Sequence, residues 1–290
     1  MSLFLTATTD MQEKGTWGIS QLIEYYSNKP FSDLELIQHP EAESQNGYFI
    51  NYLFAYYGLD KNLTLGISLP YTSISNLRST AQDTNLEEPV ITNLGNSSGI
   101  ADSSLYSIWR IFDADKYSVS MAFLGGINIP TGATNIRTSQ GDLFSVSDQP
   151  GSGTWSPFGG LIVTKKSRKF LLSANLFYTK TTEGSQNTTL GSAVNYNLGT
   201  VFELYQSKKA KLHLDGVIEL AGQTFAKDKI DGLYDPNSGE MTLFLLPGFR
   251  VNANSWISVY LGTYIPLVEH YNGIQVKTRY SALVGMDLSF

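Results

Sequence analysis

The last stretch of the chain, residues 276–290, reads VKTRYSALVGMDLSF and decides the fold. Counted back from the end, every second residue is apolar or aromatic: Phe290, Leu288, Met286, Val284, Ala282 and Tyr280. The residues between them are mostly small or polar. A period of two is the pattern of a β-strand with one apolar face. We therefore predict a strand here that reaches the aromatic carboxy terminus.

The composition is unusual for a soluble protein of 290 residues. Charged residues make up only 16% of the chain, against about 25% in a typical soluble domain. No run approaches the roughly 18 apolar residues that a membrane helix needs. Low charge without long apolar runs is typical of a membrane β-barrel, in which only alternate residues meet lipid.

Several classes of function are disfavoured by the same composition. The absence of cysteine excludes thiol catalysis, disulfides and cysteine-ligated zinc. A net charge of -6 argues against a nucleic-acid partner. The first residues carry neither a basic segment nor a long apolar segment, so we expect a form from which any export signal has been removed.

Twelve alternating segments can be counted along the chain, and their connections alternate strictly between long and short. This predicts an all-β protein, a transmembrane up-and-down antiparallel β-barrel of twelve strands, over residues 14–290. Residues 1–13 would form an amino-terminal segment, either periplasmic or inside the lumen. An even strand count places both termini on the short-turn side, which we predict to be periplasmic.

The alternation also predicts which side chains face lipid. We expect Tyr48, Ile50, Tyr52, Phe54 and Tyr56 to point outward from the second strand, and residues 76–99 to form a long polar loop. Two aromatic girdles are predicted, although aromatic residues also favour strands in general. The short-turn girdle would contain Tyr56, Phe112, Tyr117, Phe170, Trp256 and Phe290, and the long-loop girdle Tyr25, Tyr71, Tyr178 and Tyr264.

Charged residues fall on the face that is predicted to line the lumen, because a charge in mid-bilayer costs about 2–4 kcal/mol on the lipid face. The predicted lumen charges are Glu24, Arg110, Glu203, Asp215, Glu219, Arg250, Arg279 and Asp287. They would either tune what passes through the lumen or form a salt-bridge network that fills a narrow barrel. Bulky apolar side chains predicted to line the pore are Phe49, Phe158, Phe177 and Phe244.

Signals for catalysis are weak. His213 and Asp215 share one predicted inward face, which permits acid–base chemistry, but a hydrogen bond in the lumen is the simpler reading. The His-x-Ser pair of outer-membrane phospholipases does not occur. A loose group of oxygen ligands in residues 231–240 is incomplete against a calcium loop. We predict no enzyme, no metal site and no cofactor.

Three short motifs recur on the strands that run toward the long loops: LGISLPY at 65–71, GINIPT at 126–131 and GTYIPL at 262–267. Each has glycine, then apolar residues, then proline near the strand end, where a missing donor is tolerated. With GIAD at 99–102 and LPG at 246–248, they resemble the bacterial outer-membrane protein family named for the "meta-pathway of phenol degradation". The resemblance spans about residues 45–290.

This resemblance implies an outer-membrane channel of twelve strands for small hydrophobic or aromatic molecules. It also implies contact with lipid and with the barrel-assembly machinery, which would read the terminal Phe290. Three alternatives remain open at this stage. They are a closed structural or adhesive barrel acting through its loops, a membrane-barrel enzyme, and a soluble β-sandwich.

Overall fold

The computed structural model describes residues 3–81, 89–114, 118–254 and 256–290; Tyr117 of the predicted girdle lies outside them. Within these ranges one α-helix, α1 (Asp33–Gln38), and two short 3-10 helices (Val146–Asp148 and Ser185–Asn187) accompany the strands. The strands are β1 (Trp17–Lys29), β2 (Gly47–Asp60), β3 (Leu63–Ala81), β4 (Val90–Ile100), β5 (Ser103–Ala114), β6 (Val119–Ile129), β7 (Ser156–Lys166), β8 (Phe170–Thr179), β9 (Thr188–Thr189), β10 (Ala193–Ser207), β11 (Leu212–Phe225), β12 (Lys229–Ile230), β13 (Leu233–Tyr234), β14 (Glu240–Ala253), β15 (Ile257–Tyr271) and β16 (Lys277–Ser289).

The long strands form a closed antiparallel barrel. The first strand, β1, pairs with β2 on one side and with the last strand, β16, on the other. β5 pairs with β3 and β6 and completes the barrel, whereas β4 pairs with the far part of β3 and extends this strand beyond the barrel. The short strands β9, β12 and β13 make a separate small sheet outside the barrel. The described residues therefore confirm the predicted all-β, twelve-stranded barrel.

Side chains alternate between the two faces of the wall as a period of two requires. On β16, Ser281 and Leu283 point inward and are buried, whereas Tyr280 and Val284 are exposed on the outer face. The same alternation holds along β11, where Ile218 is exposed between the buried Val217 and Glu219. The outer surface is therefore an apolar band suited to hydrocarbon.

The predicted orientation of β2 is wrong. Tyr52 lies opposite Leu22 of β1, whose side chain is 6% exposed, whereas Leu53 is 45% exposed on the outside. Tyr56 also points inward, because its hydroxyl and that of Ser20 are 2.6 Å apart. Tyr48, Ile50 and Phe54 share this inner face, and Phe49 lies on the outer one. Both faces of β2 carry apolar or aromatic residues, so alternation of polarity could not identify the lipid side.

The aromatic girdles differ from prediction for a related reason. Tyr56 and Tyr264 face the lumen, and Tyr264 is buried there. Trp256 is exposed but borders the lumen. The other described members are exposed: Tyr25, Tyr71, Phe112, Phe170, Tyr178 and Phe290. Trp17 and Tyr57 form an additional tilted pair near the short-turn end, with ring centroids 4.9 Å apart.

Residues 76–99 were predicted as a polar loop, but the described residues 76–81 and 90–99 belong to strands. β3 continues to Ala81 and pairs with β4 beyond the barrel proper. Ile74 and Leu77 of this hairpin pack with Phe144 into a small apolar core. These strands could not be recognised in the sequence because their composition is polar. A hairpin that projects beyond the bilayer need not have an apolar outer face.

The long-loop end is ordered by local hydrogen bonds. The carboxylate of Asp102, at the break between β4 and β5, accepts hydrogen bonds from the backbone N–H groups of Gly132 and Ser152, both at 2.9 Å. Ser32 and Glu35 form a capping box at the start of α1. Hydrogen bonds from the Ser32 backbone and hydroxyl lower the pKa of Glu35. Among the described residues, no helix is both long enough and apolar enough to span a membrane.

The corrected orientation of β2 can be tested with one substitution. Leu53→Arg should lower the free energy of unfolding by about 2–4 kcal/mol, because it places a charge on the lipid face. Urea titration of the protein in lipid vesicles would measure this change.

Leu34→Arg is the matched control, since Leu34 is 64% exposed on α1, outside the barrel. We expect that change to stay within about 0.5 kcal/mol of the wild type. Equal effects at the two positions would contradict the assigned orientation.

Candidate functional site: the lumen and its amino-terminal segment

Residues 3–16 run through the barrel lumen and form what is called here the lumen segment. Leu3, Phe4, Thr6 and Thr9 of this segment are buried against the inner wall. The segment contacts the wall on β11 and β14, then on β6–β8, and leaves beside β2. Since it has no regular structure, its backbone groups must find partners on the wall.

Glu219 of β11 provides the first anchor. Its carboxylate accepts hydrogen bonds from the backbone N–H groups of Phe4, Leu5 and Thr6, the last two at 3.2 and 2.8 Å. The Thr6 hydroxyl donates a further bond at 2.7 Å. Charge-assisted bonds of this kind are roughly twice as strong as neutral ones. One buried carboxylate therefore holds three successive residues of the segment.

Arg250 of β14 provides the second anchor, and its residue is only 1% exposed. Its Nη2 donates to the carbonyl oxygen of Leu3 at 3.0 Å. Its Nη1 donates to the Ser258 hydroxyl at 2.7 Å and to the carboxylate of Asp287. The guanidinium also lies 4.1 Å above the centroid of the Tyr260 ring. Such a buried charge is tolerated because it is paired and hydrogen-bonded.

Phe4 occupies a socket made by two glycines that face each other on β14 and β15, Gly248 and Gly262. A Cβ atom on either glycine would lie within 3 Å of the Phe4 ring. The ring stacks on Tyr260 with centroids 5.4 Å apart and an interplanar angle of 16°. The missing side chains of the wall therefore make the space that the segment fills.

The second half of the segment crosses to the opposite wall and then leaves the lumen. The Thr9 backbone N–H donates to Thr164 at 3.0 Å, and the Ser173 hydroxyl donates to the Ala7 carbonyl at 2.8 Å. The Gly15 backbone N–H donates to the Gly58 carbonyl at 2.8 Å, which ties the exit to β2. The segment is thus fastened at both ends and in the middle.

A cavity of about 610 Å³ lies between the lumen segment and the wall. It reaches from the short-turn end, at Asn254 and Trp256, along the inner faces of β1 and β2. Aromatic side chains from both the wall and the segment line it: Phe4, Tyr52, Phe54, Tyr56, Tyr106 and Tyr260. Pockets of this size, mostly apolar with a few polar groups, are typical of small-molecule sites.

Five of the eight predicted lumen charges lie inside the barrel. Glu219, Arg250 and Asp287 meet in the anchors of the lumen segment. Glu24 is buried on β1, where it accepts a hydrogen bond from the Tyr264 hydroxyl. Asp215 is also buried, and it accepts a hydrogen bond from Asn252 at 2.7 Å.

The other three predicted charges lie near the ends of the barrel. Arg110 donates to the Lys61 carbonyl at 2.9 Å, at the short-turn end. Glu203 is exposed near the same end, where it pairs in register with Asp215. Arg279 is exposed at a bulge near the long-loop end of β16. Eight charges chosen by alternation are therefore not one cluster.

The predicted pore-lining phenylalanines are also divided. Phe244 is buried and packs edge-on against Tyr264, with ring centroids 5.7 Å apart. Phe158 and Phe177 lie on the inner face, where a Cβ on Gly126 or Gly160 would touch them. Phe49 lies on the outer face, which corrects the prediction.

The candidate reactive groups hydrogen-bond to different partners. His213 contacts Gln206 at 3.3 Å, while Asp215 is engaged by Asn252. In residues 231–240, Asp231 accepts from Asn187 and Asp235 accepts from the Asn237 backbone. The described residues contain no group of three or more acidic, histidine or cysteine side chains placed to hold a metal ion.

Sequence reasoning missed the role of the lumen segment. Alternation identified Glu219 and Arg250 as inward but could not show that their partners are backbone groups of residues 3–6. One signal was available, since Gly262 begins the recurrent motif GTYIPL and Gly248 ends the short motif LPG. An inward glycine in a strand commonly marks the close approach of another part of the chain.

The chain is similar in fold to known outer-membrane barrels. A crystal structure of an outer membrane channel from Pseudomonas putida F1 matches with a TM-score of 0.68 and 13% identity, covering 97% of this chain and 98% of that chain. The β-domain of the Bordetella autotransporter BrkA matches with a TM-score of 0.50 and 10% identity, covering 96% and 100%. No protein-family model matches the sequence, and no curated protein matches it significantly.

The glycine socket can be tested by removing its space. Gly262→Ala should displace Phe4, because overpacking typically costs about 1–3 kcal/mol. A cysteine at Thr6, buried in the native chain, should then react with a water-soluble maleimide about tenfold faster, since about 1.4 kcal/mol corresponds to a factor of ten.

The cysteine-free background makes this readout specific. In a Phe4→Ala background, Gly262→Ala should change the labelling rate by less than about twofold, as a double-mutant cycle requires for a direct contact. An equal effect in both backgrounds would show that the socket does not hold Phe4.

Proposed function

We propose that this protein is an outer-membrane channel for small, predominantly apolar or aromatic solutes, and that the lumen segment controls passage. The observation that carries the proposal is the aromatic-lined cavity of about 610 Å³ inside the barrel, between wall and segment. A cavity of this size can hold a small solute. It opens toward one end of the barrel, as expected for a diffusion pathway that is blocked farther along.

The lumen segment is suited to act as a movable barrier. It is attached to the wall by hydrogen bonds and by the packing of one phenylalanine ring. None of these attachments is covalent, and the segment continues into β1 only at its exit beside Gly58. Residues 3–13 can therefore move without unpairing a strand of the barrel.

The proposed setting follows from the barrel's outer face and from the fold. The exposed apolar band contacts outer-membrane lipid, and the short-turn end with both termini faces the periplasm. Phe290, exposed at that end, is the residue that the barrel-assembly machinery would read. The glycine–proline motifs are the basis for proposing the phenol meta-pathway family, and the Pseudomonas channel shares the barrel fold.

A closed barrel that acts through its loops is the second candidate. The observation in its favour is the ordered cap at the long-loop end, where Ile74, Leu77 and Phe144 form an apolar core. A rigid cap presents a fixed surface to a partner. His213 and Asp215 hydrogen-bond to different partners, Gln206 and Asn252, which gives no support to an enzyme, the weakest alternative.

Deletion of residues 1–13 separates the two leading candidates. Flux of a phenol through proteoliposomes should rise by about tenfold or more, which corresponds to removing a barrier of only about 1.4 kcal/mol. Stopped-flow fluorescence of an encapsulated dye would report solute entry.

Glu219→Gln should raise the phenol flux to a value between those of the wild type and the deletion variant, because it weakens one anchor and leaves Arg250 in place. Glu203→Gln is the control, since that exposed carboxylate does not contact the segment, and it should leave flux unchanged. A deletion variant that folds but transports no faster than empty vesicles would favour the closed barrel.

A further inference from the structure

The cavity ends at a buried carboxyl group. Ser20, Leu22 and Glu24 follow one another on the inner face of β1 and all line the cavity, with Glu24 farthest from the short-turn end. The Glu24 residue is only 5% exposed. A carboxyl group buried beside a cavity can serve as a recognition group for a ligand that supplies a positive charge.

Aromatic rings cover Glu24 on the side away from the opening. The Tyr264 hydroxyl donates a hydrogen bond to Glu24 Oε1. The Tyr26 and Phe244 rings pack against Tyr264, with centroid distances of 5.3 and 5.7 Å. No ion pair between Glu24 and a lysine, arginine or histidine is found in the part of the chain that the structure describes.

Other aromatic rings form the side walls of the cavity below Glu24. Tyr52 and Phe54 of β2 are stacked, with centroids 5.7 Å apart and an interplanar angle of 17°. Phe4 of the lumen segment lines the cavity as well. Aromatic faces attract cations as well as apolar bodies, through the negative potential above the ring.

The charge of the lining is one-sided. Its described residues include three carboxyl groups, Asp10, Glu24 and Asp287, and no lysine, arginine or histidine. Asp10 is bound by Lys166 and Asp287 by Arg250, both from outside the lining. Glu24 is therefore the carboxyl of this lining that has no cationic partner. An isolated buried carboxylate is costly unless a positive charge reaches it.

We propose that the cavity is a binding site for small organic cations, an amine carried on an aromatic or apolar body. The ammonium group would bind Glu24, and the body would lie between the lumen segment and the rings of Tyr52 and Phe54. This inference rests on the proposed function and narrows it, because it names the solute class that the channel prefers.

Three phenols that share a ring and differ in charge provide the test: tyramine as the cation, 4-ethylphenol as the neutral molecule and 4-hydroxyphenylacetate as the anion. Binding to the full chain in detergent would be measured by isothermal titration calorimetry. We expect the order of affinity tyramine, then 4-ethylphenol, then 4-hydroxyphenylacetate. Tyramine binding no tighter than 4-ethylphenol binding would overturn the proposal.

Glu24→Gln keeps the shape of the side chain and removes its charge. It should weaken tyramine binding by about tenfold or more, as expected for loss of a hydrogen bond to a charged group, and change 4-ethylphenol binding less than about twofold. Glu203→Gln removes a carboxylate from the exposed short-turn rim and should alter neither. An unchanged tyramine affinity in folded Glu24→Gln would also overturn the proposal.

Two measurements guard against a misfolded variant and separate the two proposals. In the wild type, tetramethylammonium should displace tyramine, whereas sodium at the same ionic strength should do so much less; the opposite result would refute the site. If tyramine binds through Glu24 but no phenol crosses proteoliposomes, even after deletion of residues 1–13, the site stands and the channel function fails. If phenols cross but tyramine has no preference, the channel stands and the cation site fails.

Discussion

Closure of the sheet is the constraint on which the whole structure depends. In hydrocarbon no water can satisfy an unpaired backbone N–H or C=O group, so a membrane sheet must have no free edge. Pairing of β1 with β16 removes both edges at once. The seam is completed by reciprocal backbone hydrogen bonds between Trp17 and Phe290, at 2.8 and 2.9 Å. Everything else in the fold either faces the lipid outside this cylinder or fills the space within it.

The filling of the lumen follows from the width of the cylinder. Eight-stranded barrels are filled by their own side chains, whereas a wider barrel has space to spare. Here residues 3–16 take part of that space, and the wall is shaped to receive them. Glycine at 248 and 262 gives room to a ring. Glu219 and Arg250, of opposite charge, satisfy N–H and carbonyl groups that a non-repetitive segment would otherwise leave unpaired. Two charges of the inner face therefore bind the segment, and one of them, Arg250, also pairs with Asp287.

The sequence predicts the wall of this protein far better than its interior. The number of strands and the closure of the barrel could be predicted because both follow from regular geometry. This geometry produces the period of two along β16 and the alternation of long and short loops. The orientation of β2 was predicted wrongly because both of its faces are apolar. Alternation of polarity then does not distinguish the lipid face from the lumen face. β4 was predicted as a loop because it projects beyond the bilayer, where a strand need not have an apolar face. The lumen segment has no period at all, and its partners are distant in sequence, such as Phe4 and Gly262. Contacts of that kind depend on tertiary structure, which no local pattern encodes.

The position of the lumen segment has a consequence for biogenesis. The segment passes Gly58 and becomes β1 within two residues, at the same place where β1 meets the carboxy-terminal residue. A seam that forms last would enclose the segment without any later threading, and the anchors on β11 and β14 would then be occupied while the cylinder is still open. This connectivity would allow the segment to occupy the lumen before the barrel closes.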